Sequence, residues 1–491
     1  MPLLLLKGGY MINNNELLYD IHEKPPIGKW IVLAIQHVFA MFGATILVPI
    51  LVNSAAGTEV LTIPVALAAS GIGTLIYILC TRGKSPVYLG SSFAFITPIA
   101  VAYSGGGVSG FVTGIASVGL IYVIFAFIIK LIGKNWIDKL LPPVVIGPMI
   151  IIIGLSLASS AVSQIGLTTE AFAWKNIIVA LTAFLVTGVV AISAKGFLKV
   201  IPFLIGIVSG YIMAVILGIV DFSSVLEASW FEIPKFLVIG KDYTFSLAGL
   251  LTIAPIALVT ISEHIGDHMA LSTIIGKDLI KSPGLDKTLL GDGLATMVAG
   301  LIGGPANTTY GENTSVVGMT KVASVWVIGL AAIIAILMSF LGKLTALIST
   351  IPNPVLGGVS LLLYGFISVN GLKVLIEKQI DFNNTRNVII ASTMLVLGLG
   401  GAAVSLTLKD ASVTFTGMSL AAIIGLLLNL LLPKDKSYNG KVLVIKEENI
   451  KEKDYNTLKE EIKNELTISL TEDILKEIKK ELKENKSKKK S

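Results

Sequence analysis

The sequence predicts an all-α polytopic membrane protein with about fourteen transmembrane segments in two inverted repeats of seven. Three observations carry this prediction: the composition, the recurrence of apolar windows, and the placement of lysines between them. Of 491 residues, 14% are charged and 54% hydrophobic, and the mean hydropathy is +0.82. A soluble globular chain carries about 25% charged residues. Runs such as Ile151–Ala161 and Ala331–Leu341 recur inside windows of about 20 mostly apolar residues, the length that crosses a bilayer. A soluble core would need polar faces between its apolar stripes. These are missing from most of residues 29 to 433.

In chain order the windows fall at 29–51, 60–80, 87–103, 111–132, 141–161, 175–194, 198–221, 245–270, 287–304, 308–320, 323–349, 351–375, 387–405 and 413–433. With a cytoplasmic N-terminus, the loops after even-numbered segments should be basic. They hold Arg82 and Lys84; Lys130, Lys134 and Lys139; Lys195 and Lys199; Lys277, Lys281 and Lys287; Lys321; and Lys373, Lys378 and Arg386. The other loops hold only Lys175, Lys235, Lys241, Lys343 and Lys409. A count wrong by one would scramble this asymmetry. It places both termini in the cytoplasm and the chain across the cell membrane. The expected organisation is a cytoplasmic N-terminal segment (1–28), two seven-span repeats (29–230 and 231–433) and a charged cytoplasmic tail (434–491).

Segments three (PVYLGSSFAFITPIA, 86–100) and ten (ANTTYGENTSVVGMT, 306–320) are short and interrupted by Gly, Ser, Thr or Pro. They occupy matching places in the two sets of seven, and an odd number of spans inverts the second set. Such a pair points to a transporter's midplane site, because irregular backbone at membrane depth is tolerated only where it is buried or lines a cavity.

The tail is too rich in Lys and Glu to span a membrane. Leu458, Ile462, Leu466, Leu470, Ile474, Ile478 and Leu482 recur every four residues, so an amphipathic helix is expected there. Ser469 and Glu472 have capping-box spacing. The first twenty residues lack a basic n-region and a small-residue cleavage site, so no signal peptide is expected. The single cysteine, Cys80, excludes an internal disulfide and thiolate-rich metal sites. The net charge of +6 does not indicate nucleic acid, because the lysines lie between spans or in the tail and no aromatics interleave with them. No nucleotide-binding loop is present. No cofactor, metal or enzymatic residue set is expected.

The eighth segment contains ISEHIGDH, with Glu263, His264, Asp267 and His268 in six residues. Intramembrane ionisable residues are costly and mark a pathway or a partner. Glu263 and Asp267, four apart, share a helical face. Two neighbouring carboxylates resist joint ionisation, which suits a shared proton. His264 is placed to donate to Asp267, and His268 to face elsewhere. In TYGEN, Tyr310, Gly311, Glu312 and Asn313 set a backbone N–H beside a carboxylate. In SSFAF, Phe93 offers a ring. A small, planar, neutral ligand with alternating N–H and C=O groups suits this set; an inorganic anion would be repelled by the acids.

At these residues the chain resembles the nucleobase–ascorbate transporter family, and within it the bacterial uracil permeases. The resemblance covers roughly residues 25 to 433. It rests on QHVFAMFGATILVP (36–49), YLGSSFAFITP (88–98), EHIG (263–266), NTTYGENTSVVGMT (307–320) and NPVLGGVSLLLYG (353–365). It implies a core domain of spans 1–4 and 8–11, a gate domain of spans 5–7 and 12–14, and short strand-like pieces in segments three and ten. It implies that Glu263 and Glu312 bind uracil, with backbone N–H groups at Phe93 and Gly311. It implies proton-coupled uptake, with Gln36, His37 and Tyr364 in support, and a homodimer through the gate; the residues themselves add Asp267 and His264 to Glu263 and Glu312 for the proton, and Tyr310 and Asn313 in support. Two positions depart from the pattern: Asp267, where these permeases often carry a histidine, and Ser315, where the motif commonly has glycine. Xanthine or another purine is the next substrate behind uracil; an anion transporter of the same fold ranks lower.

Overall fold

The apolar windows fold as helices because a bilayer offers no water to unpaired backbone groups. A computed structural model of the chain describes residues 17–134, 136–167, 173–408 and 411–433. The tail, with its expected amphipathic helix, lies outside the described residues. The helical unit runs to Ile380 and resumes over Ile389–Leu431. Asp381–Val388 belongs to a second unit, in which Asp381 Oδ1 accepts from the Asn383 backbone N–H (2.8 Å).

Helices α1 (Ile27–Ala56) and α2 (Ile63–Cys80) are the first two spans. Segment three begins as strand β1 (Leu89–Ser91), makes one 3-10 turn (Phe93–Phe95) and enters α3 (Ile96–Ile132). The expected windows 87–103 and 111–132 are thus joined end to end. Gly107 breaks α3 at φ 57° and ψ −149°, a backbone shape that glycine adopts without a Cβ clash. One turn, α4 (Ile137–Leu140), precedes α5 (Pro143–Leu155) and α6 (Ala158–Ile165), which share segment five; α7 (Trp174–Ser193) and α8 (Pro202–Ile216) follow.

After the short α9 (Ser223–Glu227), segment eight is α10 (Leu247–Ile253), a 3-10 turn at Ala254–Ile256, and α11 (Ala257–Ile275). Pro255 removes a backbone donor there, which accounts for the interruption. Then come α12 (Leu285–Leu301), strand β2 (Asn307–Thr309) and the half-helix α13 (Gly311–Thr320). The last helices are α14 (Val325–Met338), α15 (Gly342–Ser349), α16 (Asn353–Glu377), α17 (Thr385–Leu399) and α18 (Gly417–Leu431). A hairpin, β3 (Ala403–Leu408) and β4 (Ala411–Thr416), joins α17 to α18. The expected segments 387–405 and 413–433 overlap it. Its alternation of Val404, Leu406 and Leu408 with Ser405 and Thr407 has the strand period of two, not the helical one.

Helices α1, α2, α3, α10, α12 and α14 pack on one another, and α5 to α8 pack with α16. This is the core-and-gate division. At the centre of the core, β1 and β2 cross as an antiparallel pair, with Leu89 opposite Thr309, Gly90 opposite Thr308 and Ser91 opposite Asn307. The two interrupted segments therefore meet, and each leaves the crossing as a half-helix.

Candidate functional site

The crossing strands are held by buried hydroxyls and amides from matching spans of the two repeats. On the first side, the Ser70 and Thr74 hydroxyls of α2 donate to the Leu89 carbonyl at 2.7 and 3.2 Å. On the second, the Thr296 hydroxyl of α12 donates to the Asn307 carbonyl (3.2 Å), and Asn307 Nδ2 reaches the Ala69 carbonyl of α2 (3.2 Å). The pair is extended at its ends by Ser92 N–H to Ala306 O (2.9 Å) and Tyr310 N–H to Tyr88 O (3.1 Å). Such satisfaction is what allows non-helical backbone at membrane depth. Gly90 lies under the buried Tyr310 ring, and a Cβ there would run into it. The Tyr310 hydroxyl donates to the Ser91 carbonyl (3.1 Å) and accepts from Thr45 of α1 (3.1 Å).

Each half-helix starts without a capping side chain. In α13 the first helical bond runs from Thr314 N–H to Tyr310 O, so the N–H groups of Gly311, Glu312 and Asn313 reach no backbone carbonyl within the helix, and that of Glu312 donates to its own carboxylate. Gly311 is exposed and Glu312 half-buried. Phe93 opens the other half-helix and is also half-buried. Glu312 and Phe93 line a narrow cleft that is partly open to solvent. Phe39, Gly43 and Leu47 of α1 form one wall, and Ile201, Leu204 and Leu363 of the gate the other. The cleft thus lies between the two helical groups.

Helix α11 presents two polar faces about 100° apart. Glu263 and Asp267 are half-buried on one face. Glu263 stands within electrostatic range of Asp267, Asp292 and Glu312, and does not itself line the cleft. The Thr309 hydroxyl of β2 donates to Asp267 Oδ2, which ties α11 to the crossing strands. His264 and His268 are fully buried on the other face, with ring centroids 4.1 Å apart. His268 Nδ1 donates to the His264 carbonyl (2.7 Å), leaving Nε2 to meet the Tyr77 hydroxyl of α2 (2.6 Å).

His264 does not reach Asp267, contrary to the expectation from their spacing. Its Nδ1 lies 2.7 Å from Asp292 Oδ2 of α12, and neither side chain is exposed. Asp292 was missed by the sequence reading. Its signal was available: a lone carboxylate in LLGDGLATM, inside the ninth span, where ionisable residues mark function or a partner.

Among the supporting residues, His37 is buried on α1 and joined to α13, with Asn313 Nδ2 3.1 Å from both its carbonyl oxygen and its Nδ1. Gln36 is half-buried beside it. Tyr364 is buried in α16, next to the cleft residue Leu363. Among the described residues no group of three or more His, Cys, Asp or Glu is placed to hold a metal. The arrangement offers carboxylate acceptors, exposed backbone donors at helix starts and a ring, which together match a neutral ligand carrying amide-like edges.

Comparison with known proteins shows the family and the fold. The Xan_ur_permease model, described as a permease family, matches residues 28–407. The chain is similar to the protein named uracil permease of Bacillus caldolyticus, at 49% identity over 85% of this chain and 95% of that one. It is similar to its namesakes of Bacillus subtilis (47%, over 85% and 95%) and Escherichia coli K12 (42%, over 84% and 93%). Two solved structures share the fold. One is the transmembrane domain of a cyanobacterial bicarbonate transporter, BicA (TM-score 0.53, 14% identity, 84% of this chain and 100% of that one). The other is murine Solute Carrier 26 family member A9 (TM-score 0.57, 12% identity, 83% and 68%). The chain belongs to the Xan_ur_permease family of permeases, the family of nucleobase–ascorbate transporters that its motifs resemble.

Proposed function

We propose that the chain takes up uracil together with protons across the cell membrane, as a secondary active transporter working by alternating access. The observation that carries this reading is the start of α13, where the uncapped Gly311 adjoins Glu312, which lines the cleft. An imide edge, with N–H between two carbonyls, is complementary to such a set. Phe93 supplies a backbone donor and ring contact, and Glu263, behind the cleft and within electrostatic range of Glu312, becomes the second acceptor as the core moves against the gate. The names of the relatives support uracil as the base. The acids argue against an anion, although solved anion transporters share the fold.

A proton taken up among Glu263, Asp267 and Glu312 removes net charge before the loaded site crosses the bilayer, where charge is costly. His264 acts through Asp292, holding α11 in place. The core then moves against the gate around the cleft that divides them. Release of base and proton on the cytoplasmic side, where the lysine-rich loops and both termini lie, resets the cycle. The exposed apolar face of α7 at Leu181, Leu185, Val189 and Ile192 meets lipid or a second copy of the chain.

The test is uptake of radiolabelled uracil into proteoliposomes with and without an inward proton gradient. Gradient-driven uptake that a protonophore abolishes, and that Glu312→Gln removes, is the expected result. Xanthine uptake in place of uracil would refute the substrate. Gradient-independent uracil uptake would refute the coupling.

A further inference from the structure

The site-bearing helices α11 and α13 are joined at the ends far from the cleft by a segment that precedes every span. Residues 18–24 run beside the connection from α13 to α14, with a single parallel bridge between Tyr19 and Val322. Leu18 N–H donates to Lys321 O (2.7 Å), Ala323 N–H to Tyr19 O (2.9 Å) and Val325 N–H to Ile21 O (2.9 Å). The Ser324 hydroxyl donates to Glu23 O (2.5 Å), and Trp326 Nε1 to His22 O (3.2 Å). Asp20 forms an ion pair with Lys277 (2.6 Å), just past the end of α11.

Ile21 is the centre of this attachment. It is 5% exposed and shares a buried cluster with Leu271 and Ile275 of α11, Val317 of α13, and Ala323. The two helices approach there across Gly318 and Ile274. Val317 lies five residues beyond Glu312, about 7.5 Å along the helix, and Leu271 eight beyond Glu263, about 12 Å, at 1.5 Å per residue. A side chain packed where two rigid helices meet, at that distance, constrains the spacing of what they carry at the other end.

We propose that residues 18–24 are a strap that fixes the separation of α11 and α13, with Ile21 as the positioning residue acting on Glu263 and Glu312. The uracil readout rests on the function proposed above; the spacing readout does not. Backbone pairing holds the strap in register, the apolar wedge sets the gap, and the Asp20–Lys277 pair anchors the α11 end. The strap touches no ligand.

The experiment uses the full-length chain in detergent with Cys80→Ser, labelled through Thr273→Cys on α11 and Met319→Cys on α13. Spin–spin distances from the dipolar broadening of continuous-wave spectra, the range suited to helices in contact, are compared for the parent, Ile21→Ala, Ile21→Val and Asp20→Asn, beside uracil Kd and thermal unfolding. Ile21→Ala should broaden or shift the α11–α13 distance and weaken uracil on the order of tenfold, the usual size of coupling between sites. Ile21→Val should restore both. If Ile21→Ala does not fold, Asp20→Asn, which changes an exposed group, should show the same broadening to a smaller degree. An unchanged distance distribution in a folded variant overturns the strap, whether or not uracil binds. A parent that binds no uracil while Ile21→Ala broadens the distance overturns the substrate and leaves the strap standing.

Discussion

Replacing Asp292 by alanine tests whether the buried His264–Asp292 contact holds the acid face of α11 in register. Both side chains are fully buried and 2.7 Å apart. Among the described residues His264 Nε2 and Asp292 Oδ1 have no partner, so removal leaves an imidazole with neither nitrogen satisfied. Stranding one member of a buried ion pair costs about 3–5 kcal/mol; for a neutral hydrogen bond the figure is about 1–3 kcal/mol. Asp292→Asn keeps an oxygen that accepts from His264 Nδ1–H and should cost about 1 kcal/mol. The assay is thermal unfolding in detergent with uracil Kd measured on the folded fraction. Asp292→Ala should lower both stability and affinity, and Asp292→Asn should recover most of each. Equal stability in wild type and Asp292→Ala would refute the reasoning, since a buried partner cannot be stripped without cost. Loss of gradient-driven uptake in Asp292→Asn, with normal binding, would instead make Asp292 a proton site.

Three further outcomes are expected. Gly90→Ala places a methyl against the Tyr310 ring and should weaken uracil at least about tenfold, about 1.4 kcal/mol; unchanged binding would show that Tyr310 gives way freely. Glu263→Gln and Asp267→Asn should each alter the pH profile of uptake; if only the first does, the two carboxylates do not share the proton. Lys277, donating to the Asp20 carboxylate, holds that group below its usual range. The stabilisation is therefore present above about pH 4 and lost as pH falls through the folded value. With both side chains nearly half exposed, the pair contributes about 0.2–1 kcal/mol and weakens with salt. The stability difference between wild type and Asp20→Asn should be flat from pH 5 to 8 and shrink in molar salt; a difference that grows with pH in that window would refute this assignment.

Much of the fold was legible because it follows from solvent. Apolar windows of spanning length, the lysine asymmetry and two broken segments at matching places are local features that a linear reading detects. The missed hairpin at 403–416 lay inside apolar stretches, where a strand of period two and a helix end share residues. The site was legible where chemistry is concentrated, in ISEHIGDH and TYGEN. Asp292 was not, because a single carboxylate acquires meaning only from what faces it.

The sequence by itself determined that this chain lives in a bilayer as helices, that segments three and ten interrupt them, and that acids stand at membrane depth. These follow from hydropathy and from the cost of unpaired backbone and charge in lipid. Only the tertiary structure decided that β1 pairs with β2, that His264 meets Asp292 rather than Asp267, that Thr309 serves Asp267, and that Ile21 joins a buried cluster with residues of α11 and α13. Spacing along one helix states which residues share a face. What that face meets is set by packing against helices distant in the chain, and side-chain hydrogen bonds of a few ångströms are selected there.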